Sequence, residues 1–176
     1  MINIVDKAGL YFFHHLIRCY PLDIVAPYIS WFGNFFTVLF IFLVLFVIGK
    51  GVTKQYALLG AVVAAGASFI SDVLKDIFKR PRPYFTEYAD TIIGLSKSFS
   101  FPSGHATIMF AVAYILSHRY KKLRKVFFGI ATLVALSRIY MGLHYPSDVI
   151  AGAFLGYGCA FVGVKFAEGK LKLLNK

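Results

Sequence analysis

Residues 31–49, WFGNFFTVLFIFLVLFVIG, hold no charged side chain, and that length of apolar chain matches the roughly 20 residues a helix needs to cross a bilayer. Four further apolar stretches, 56–78, 104–118, 124–142 and 147–167, can also span, and of these 56–78 and 124–142 carry charged residues at one end. The 104–118 stretch is short and is expected to start slightly within the membrane. Composition agrees: of 176 residues, 59% are hydrophobic and 15% charged, with a mean hydropathy of +0.70. A soluble domain of this size has too little interior to hide so much apolar surface, so the surplus must face lipid. The expected fold is therefore all-α: a single polytopic membrane helical bundle over residues 1–176, with five spans.

The first twenty residues differ. Asn3, Lys7, His14 and Arg18 fall on one helical face, while Val5, Leu10, Phe12, Phe13, Leu16 and Ile17 crowd the other. This predicts an amphipathic helix lying in the membrane interface, with a sixth, more polar span as the alternative. Charges within the apolar pattern and the lack of a small-residue cleavage site argue against a removable signal peptide. Cys19 and Cys159 are isolated, so neither a disulfide framework nor a zinc site is implied.

A net charge of +11 would raise the question of nucleic acid in a soluble protein. Here the cations cluster at the ends of apolar runs, where membrane topology explains them and no nucleic-acid partner is expected. Eleven (Lys50, Lys54, Arg119, Lys121, Lys122, Arg124, Lys125, Lys165, Lys170, Lys172, Lys176) fall on one side, which should be cytoplasmic. Six (Lys75, Lys79, Arg80, Arg82, Lys97, Arg138) fall on the other, near helix ends. Gly60, Ala64, Gly66, Gly152 and Gly156 recur at near-helical spacing and are read as close helix contacts in lipid. Tyr84, Phe85, Tyr88, Phe99 and Phe101 are read as an interfacial aromatic belt.

Three segments carry polar groups to the face opposite the basic loops. In the first, Pro81 and Pro83 stop a helix so that Arg82 lies just beyond it and Lys75 about one turn inside. In the second, Phe101-Pro102-Ser103-Gly104-His105, Ser103 is a natural N-cap, and the N–H groups of Gly104 and His105 point where a helix dipole favours an anion. In the third, Ser137-Arg138 precedes His144, and Pro146 suits the first position of the last helix. His144 is then expected at a wet position before that helix, with Asp148 in its first turn accepting a hydrogen bond from the imidazole. Such a carboxylate fixes the tautomer and makes the other ring nitrogen a better nucleophile. Singly, each residue has a plainer reading: a snorkelling cation, a cap, an interfacial histidine. Together, three cations, a helix N-terminus, two histidines and an orienting carboxylate are what phosphoryl transfer through a covalent intermediate requires. No cluster of carboxylates and histidines accompanies them, so neither a metal nor another cofactor is expected.

Lys75-x6-Arg82-Pro83, Pro102-Ser103-Gly104-His105 and Ser137-Arg138-x5-His144-x3-Asp148 resemble the three signature motifs of the type 2 phosphatidic acid phosphatase superfamily, in that family's order. The resemblance implies a helical bundle in which His144 attacks phosphorus and His105 protonates the leaving lipid oxygen. It also implies that Asp148 holds His144 while Lys75, Arg82, Ser103, Gly104 and Arg138 bind the phosphoryl oxygens.

By the loop charges, the site faces the periplasm from a bacterial inner membrane, and the substrate is a phosphorylated lipid. Lys79, Arg80 and Lys97 are extra cations that can engage a second phosphate on a polyanionic head group. This favours a lipid A 1-phosphatase over an undecaprenyl pyrophosphate phosphatase, a phosphatidylglycerophosphate phosphatase or a phosphotransferase with the same site. The sequence says nothing of oligomeric state.

Overall fold

The computed structural model describes residues 3–86, 89–92, 94 and 98–174, with side chains of the last helix described as far as Gly169. Among these residues all regular structure is helical. Helix α1 (Ile4–Leu10) runs into a π-helical turn at Tyr11–Leu16, followed by α2 (Tyr20–Trp31), α3 (Phe35–Ile48) and α4 (Val52–Phe78). Short 3-10 turns at Pro83–Phe85 and Lys121–Leu123 flank α5 (Gly104–Arg119), and α6 (Arg124–Tyr140) and α7 (Pro146–Leu174) complete the chain.

The expected first span is broken near its start. The chain is already helical from Tyr20, breaks after Trp31, and resumes at Phe35 with the two helices bent by 55°. The cause is local: the Asn34 side chain accepts the Phe36 N–H at 3.0 Å and so caps a new helix. Gly33 fits the break because a Cβ there would lie 2.7 Å from Val134 Cγ1 and 3.0 Å from His105 Cδ2.

By length and composition, α4 and α7 can each cross a membrane, and the bent pair α2–α3 counts as a third such element. Helices α5 and α6 have 16 and 17 residues, and at 1.5 Å per residue fall short of a hydrocarbon core about 30 Å thick. The five expected spans are thus not all met by length. Helix α5 is the hub, packed by α4, α6 and α7 and buried from Ala106 to Ile115 on nearly every side. A helix wrapped in protein has no lipid-facing stripe to extend, which is why it can stay short. The outer helices carry the exposed apolar surface, including Phe36, Phe40 and Leu43 of α3, Leu58, Val62 and Phe69 of α4, and Phe154, Val162 and Phe166 of α7.

Small residues set the approach of α7 to α5. A Cβ on Gly152 or Gly156 would run into the Ser103 or Thr107 carbonyl, and one on Gly60 into the Phe42 ring. Gly66 meets nothing within 4 Å, so it plays no part in this packing.

The N-terminal helix is amphipathic as expected, but its two faces are mixed: Asn3 and Lys7 of the polar face are exposed and Leu10 of the apolar face is buried. Asp6 and His14 are buried against the bundle, whereas Ile4, Val5, Tyr11, Phe12 and Leu16 are exposed. His14 reaches the Tyr140 carbonyl with Nδ1 at 2.7 Å and Asp90 Oδ1 with Nε2 at 2.6 Å. At seven residues plus one π-turn the segment is too short to be a sixth span. It caps the end of the bundle where α4 stops and α7 starts.

Candidate active site

At the end of α4, Lys79 takes a left-handed conformation (φ 47°, ψ 35°) and donates its N–H to the Lys75 carbonyl at 2.8 Å. Pro81 and Pro83 then forbid further helix, and Arg82 turns back beneath the chain, where it is 4% exposed. Its Nε donates to the Ser98 carbonyl and its Nη2 to Ser98 Oγ, each at 2.8 Å, while Nη1 donates to the Leu143 carbonyl at 3.1 Å. Lys75 extends from the last turn of α4 over the start of α5: a Cβ on Gly104 would sit 3.3 Å from Lys75 Nζ and 3.7 Å from Ser71 Oγ. Asp72 Oδ1 accepts from Lys75 Nζ at 2.7 Å from its exposed position.

Ser103 occupies the N-cap position of α5, but its hydroxyl makes no capping bond, contrary to the expectation from sequence. Its backbone N–H donates to the Asp148 carbonyl at 3.0 Å, which fixes the start of α5 against the start of α7. His105 follows in the first turn, against Gly33 at the α2–α3 break and within electrostatic reach of Arg138, His144, Lys75 and Arg82.

The Met141–Tyr145 loop is a tight turn in which Leu143 and His144 both donate backbone N–H to the Arg138 carbonyl, at 3.1 and 3.3 Å. Gly142 has φ 71°, and a Cβ there would meet the Asp90 carbonyl. His144 is 2% exposed, so the wet position expected for it is corrected: Arg82, bonded to the Leu143 carbonyl, lies against it. Arg82 Nη1 lies 3.3 Å from His144 Nε2. A guanidinium only donates, so Nε2 is the acceptor and the ring proton sits on Nδ1, facing Asp148. Burial, the largest effect, pushes the imidazole down to about 4; the nearby Asp148 carboxylate opposes it, and Arg82 and Arg138 add to it.

Asp148 is fully buried, with Oδ2 3.6 Å from His144 Nδ1. That is longer than a hydrogen bond, so the expected one is not made, and the neutral imidazole faces the carboxylate at a distance. The carboxylate is held by other donors: the Tyr145 N–H at 2.9 Å, Ser100 Oγ at 2.5 Å and Arg80 Nη1 at 2.5 Å. Arg80 also donates to Ser147 Oγ at 2.7 Å and to Asp6 Oδ2 at 2.6 Å, and lies over the Tyr145 ring at 4.2 Å. The head-group role expected of Arg80 is corrected, because its guanidinium is engaged inward by two buried carboxylates. Lys79 is exposed and, with Phe78, Arg80, Pro81 and Phe101, lines a cavity of about 330 Å³. Lys97 and Tyr88 lie outside the described residues.

Arg138 is 7% exposed, with Nη1 donating to Ser30 Oγ of α2 at 2.6 Å. Among the described residues, four buried side-chain atoms have no hydrogen-bond partner: Ser71 Oγ, Ser103 Oγ, Arg138 Nε and His144 Nδ1. All four belong to this one end of the bundle. Lys75, Arg82, Arg138, Ser103, Gly104, His105, His144 and Asp148 are thus brought together. The contributions of Ser30, Ser98, Ser100 and Asp6 were absent from the sequence reading. Only Ser71, one helical turn before Lys75, carried a local signal. Among the described residues, no three His, Cys, Asp or Glu side chains group to hold a metal ion.

A model of the PAP2 superfamily matches residues 55–172. The crystal structure of the transmembrane PAP2 type phosphatidylglycerolphosphate phosphatase from Bacillus subtilis superposes with a TM-score of 0.79 at 29% identity, covering 93% of this chain and 85% of that one. A lipid A 1-phosphatase from Rhizobium etli is 29% identical over 92% of this chain and 60% of its own length. The undecaprenyl-diphosphatase BcrC from Bacillus subtilis is 26% identical over 73% of this chain and 66% of its own. The chain therefore spans less than two thirds of the length of these two relatives.

Proposed function

Because the chain belongs to the PAP2 superfamily, we propose that it is a lipid phosphatase working through a phosphohistidine on His144. The observation that carries this is the convergence of a buried imidazole, whose Nε2 is an acceptor, with three cations and three unpartnered donors, Ser71 Oγ, Ser103 Oγ and Arg138 Nε. A phosphoryl group is an anion rich in acceptors, and it suits that donor set.

In the proposed reaction, Lys75, Arg82, Arg138 and the N–H groups at the start of α5 hold the phosphoryl oxygens. Nε2 of His144 forms a bond to phosphorus as the bond to the lipid oxygen breaks. His105 supplies the proton that the leaving oxygen takes up. Water then attacks phosphorus, His105 accepts its proton, and the P–N electron pair returns to Nε2. Asp148 stabilises the imidazolium-like ring through its charge at 3.6 Å, held in place by Arg80, Ser100 and Tyr145.

We further read residues 1–176 as one membrane domain with five crossing segments, the first bent, in a bacterial inner membrane with the site towards the periplasm. The distribution of Lys and Arg, eleven at the far end against eight at the site end once Lys7 and Arg18 are counted there, supports this orientation. For the lipid, we favour the 1-phosphate of lipid A, supported by exposed Lys79 beside the site and by a lipid A 1-phosphatase among the relatives. Undecaprenyl pyrophosphate and phosphatidylglycerophosphate are the alternatives named by the other two similar proteins. Phosphate release by the purified protein from each of these three lipids is the test. Acid-labile label from the lipid phosphate on His144 is the expected intermediate, and release with no label in a rapid quench would overturn the mechanism. Label passed to a second lipid rather than to phosphate would mark a phosphotransferase.

A further inference from the structure

At the other end of the bundle, roughly 20 Å along α5 from His105, lies a second polar cavity that the reaction does not use. It has a volume of about 380 Å³ and is lined by Tyr114, Ser117, His118, Lys121, Arg124 and Tyr157. These come from the last turns of α5, the 3-10 turn, the first residue of α6 and the middle of α7, so three helices close around it. His118 lies against Tyr114 with ring centroids 4.8 Å apart and planes tilted by 36°, and Tyr157 meets Tyr114 edge-on at 4.7 Å. The aromatic wall continues along the helices through Phe128, 6.3 Å from Tyr157, and Phe161, 6.3 Å from Tyr114 and 44% exposed. A neighbouring open depression of about 530 Å³ shares His118 and Lys121. Glu168 lies within electrostatic reach of Tyr114, but it is paired with Lys165 at 3.9 Å. Nearby Arg119 is turned away to Thr53 Oγ1 at 3.1 Å.

The Ser117 hydroxyl is spent on the Tyr114 carbonyl at 2.8 Å, so the cations Lys121 and Arg124 are the groups left for an anion, and such a basic cavity open beside an aromatic wall matches a phosphate on a lipid rather than a soluble anion alone. Scattered basic residues at a membrane surface need no cavity and no apolar wall. We propose that this cavity binds the phosphate head group of an anionic phospholipid in the leaflet opposite the candidate active site, with its acyl chain along Phe128 and Phe161. The proposal rests on the bundle crossing a bilayer and is independent of the catalytic roles given above.

The test is native mass spectrometry of the protein purified with phosphatidylglycerol and phosphatidylcholine in equal amounts. The expected result is retained phosphatidylglycerol, lowered at least roughly tenfold by Lys121→Ala with Arg124→Ala and unchanged by Lys165→Ala, a cation at the same end outside the cavity. Lys121 is exposed, so Lys121→Glu alone gives a second variant with little risk to folding. Monodisperse elution and undiminished phosphate release would show that these variants remain folded. Equal retention in parent and variants, or equal loss with Lys165→Ala, would overturn the proposal. So would displacement of the lipid by inorganic phosphate at the concentration at which a short-chain phosphatidylglycerol displaces it, because the acyl chain would then contribute nothing.

Discussion

Replacing Arg80 by glutamine separates two roles for its guanidinium. As a head-group contact it would serve substrate binding alone; as the counter-charge of Asp6 and Asp148 it serves folding and the nucleophile. Its side chain is 14% exposed, and the two carboxylates are 1% and 0% exposed. Removing one partner of a buried pair costs about 3–5 kcal/mol, because the other charge is left uncompensated. Ser147, Ser100 and the Tyr145 N–H still serve these carboxylates, which places Arg80→Gln near the low end, about 3 kcal/mol. Asp148 would also lose the donor on Oδ1, and a displacement near 1 Å in a catalytic group costs about a hundredfold in rate. The expected outcome, read by phosphate release in mixed micelles and by thermal unfolding, is a kcat lowered about a hundredfold, with a KM within about threefold of the parent. A KM raised tenfold or more, with kcat and stability unchanged, would refute this reasoning and return Arg80 to the head group.

His144→Ala should lower turnover by roughly a thousandfold or more, while Asp148→Asn loses less because the nucleophile remains; a His144→Ala activity within tenfold of the parent would exclude the phosphohistidine. Chelators should leave phosphate release intact, since Lys75, Arg82 and Arg138 supply the positive charge, and vanadate should inhibit as an imitation of five-coordinate phosphorus; loss of activity in EDTA that a divalent ion restores would contradict this. His144 titrates near 4 when folded and about 6.5 when unfolded. The unfolded chain therefore binds the extra proton first, and this group's contribution to stability, complete above pH 6.5, is lost as pH falls towards 4. Comparing denaturation at pH 7.5 and 5 should show a smaller loss for His144→Gln than for the parent; an equal loss would contradict the assignment. In a background lacking Cys19 and Cys159, Thr86→Cys should react with an impermeant thiol reagent in intact cells and Lys122→Cys only after lysis, and the reverse would place the site in the cytoplasm.

The helical class was legible because hydrocarbon imposes one requirement on long stretches, and apolar runs such as 35–48 and 147–167 show it directly. The site was legible because its residues sit at helix ends announced by Pro81, Pro83, Pro102 and Pro146, each a local signal. What escaped was long-range. Nothing near Asp6 says that it meets Arg80 and Ser147, more than 70 residues away. Nothing near Ser30 says that it meets Arg138. The break at Gly33 was hidden inside a run that reads as one span, because the cue is a pair, Gly33 and Asn34, whose meaning depends on Val134 and His105 filling the space alongside. The N-terminal helix has the expected periodicity, but nothing in a polar stripe says which of its members meets a buried partner, as Asp6 and His14 do while Asn3 and Lys7 stay exposed.

That helix turns Asp6, Leu10 and His14 towards the bundle and leaves Ile4, Val5, Tyr11, Phe12 and Leu16 exposed. Peeling it away would strip Asp6 from Arg80 and His14 from Asp90 while leaving its exposed apolar side chains as they were. It behaves as a hoop around the end of the barrel staves rather than as a float at the surface. Shortening the chain at this end, or fusing a tag that tugs on it, would therefore loosen Arg80 and with it Asp148 from a distance, and preparations modified there should be compared with ones modified at the far terminus before any low activity is ascribed to the wrong substrate.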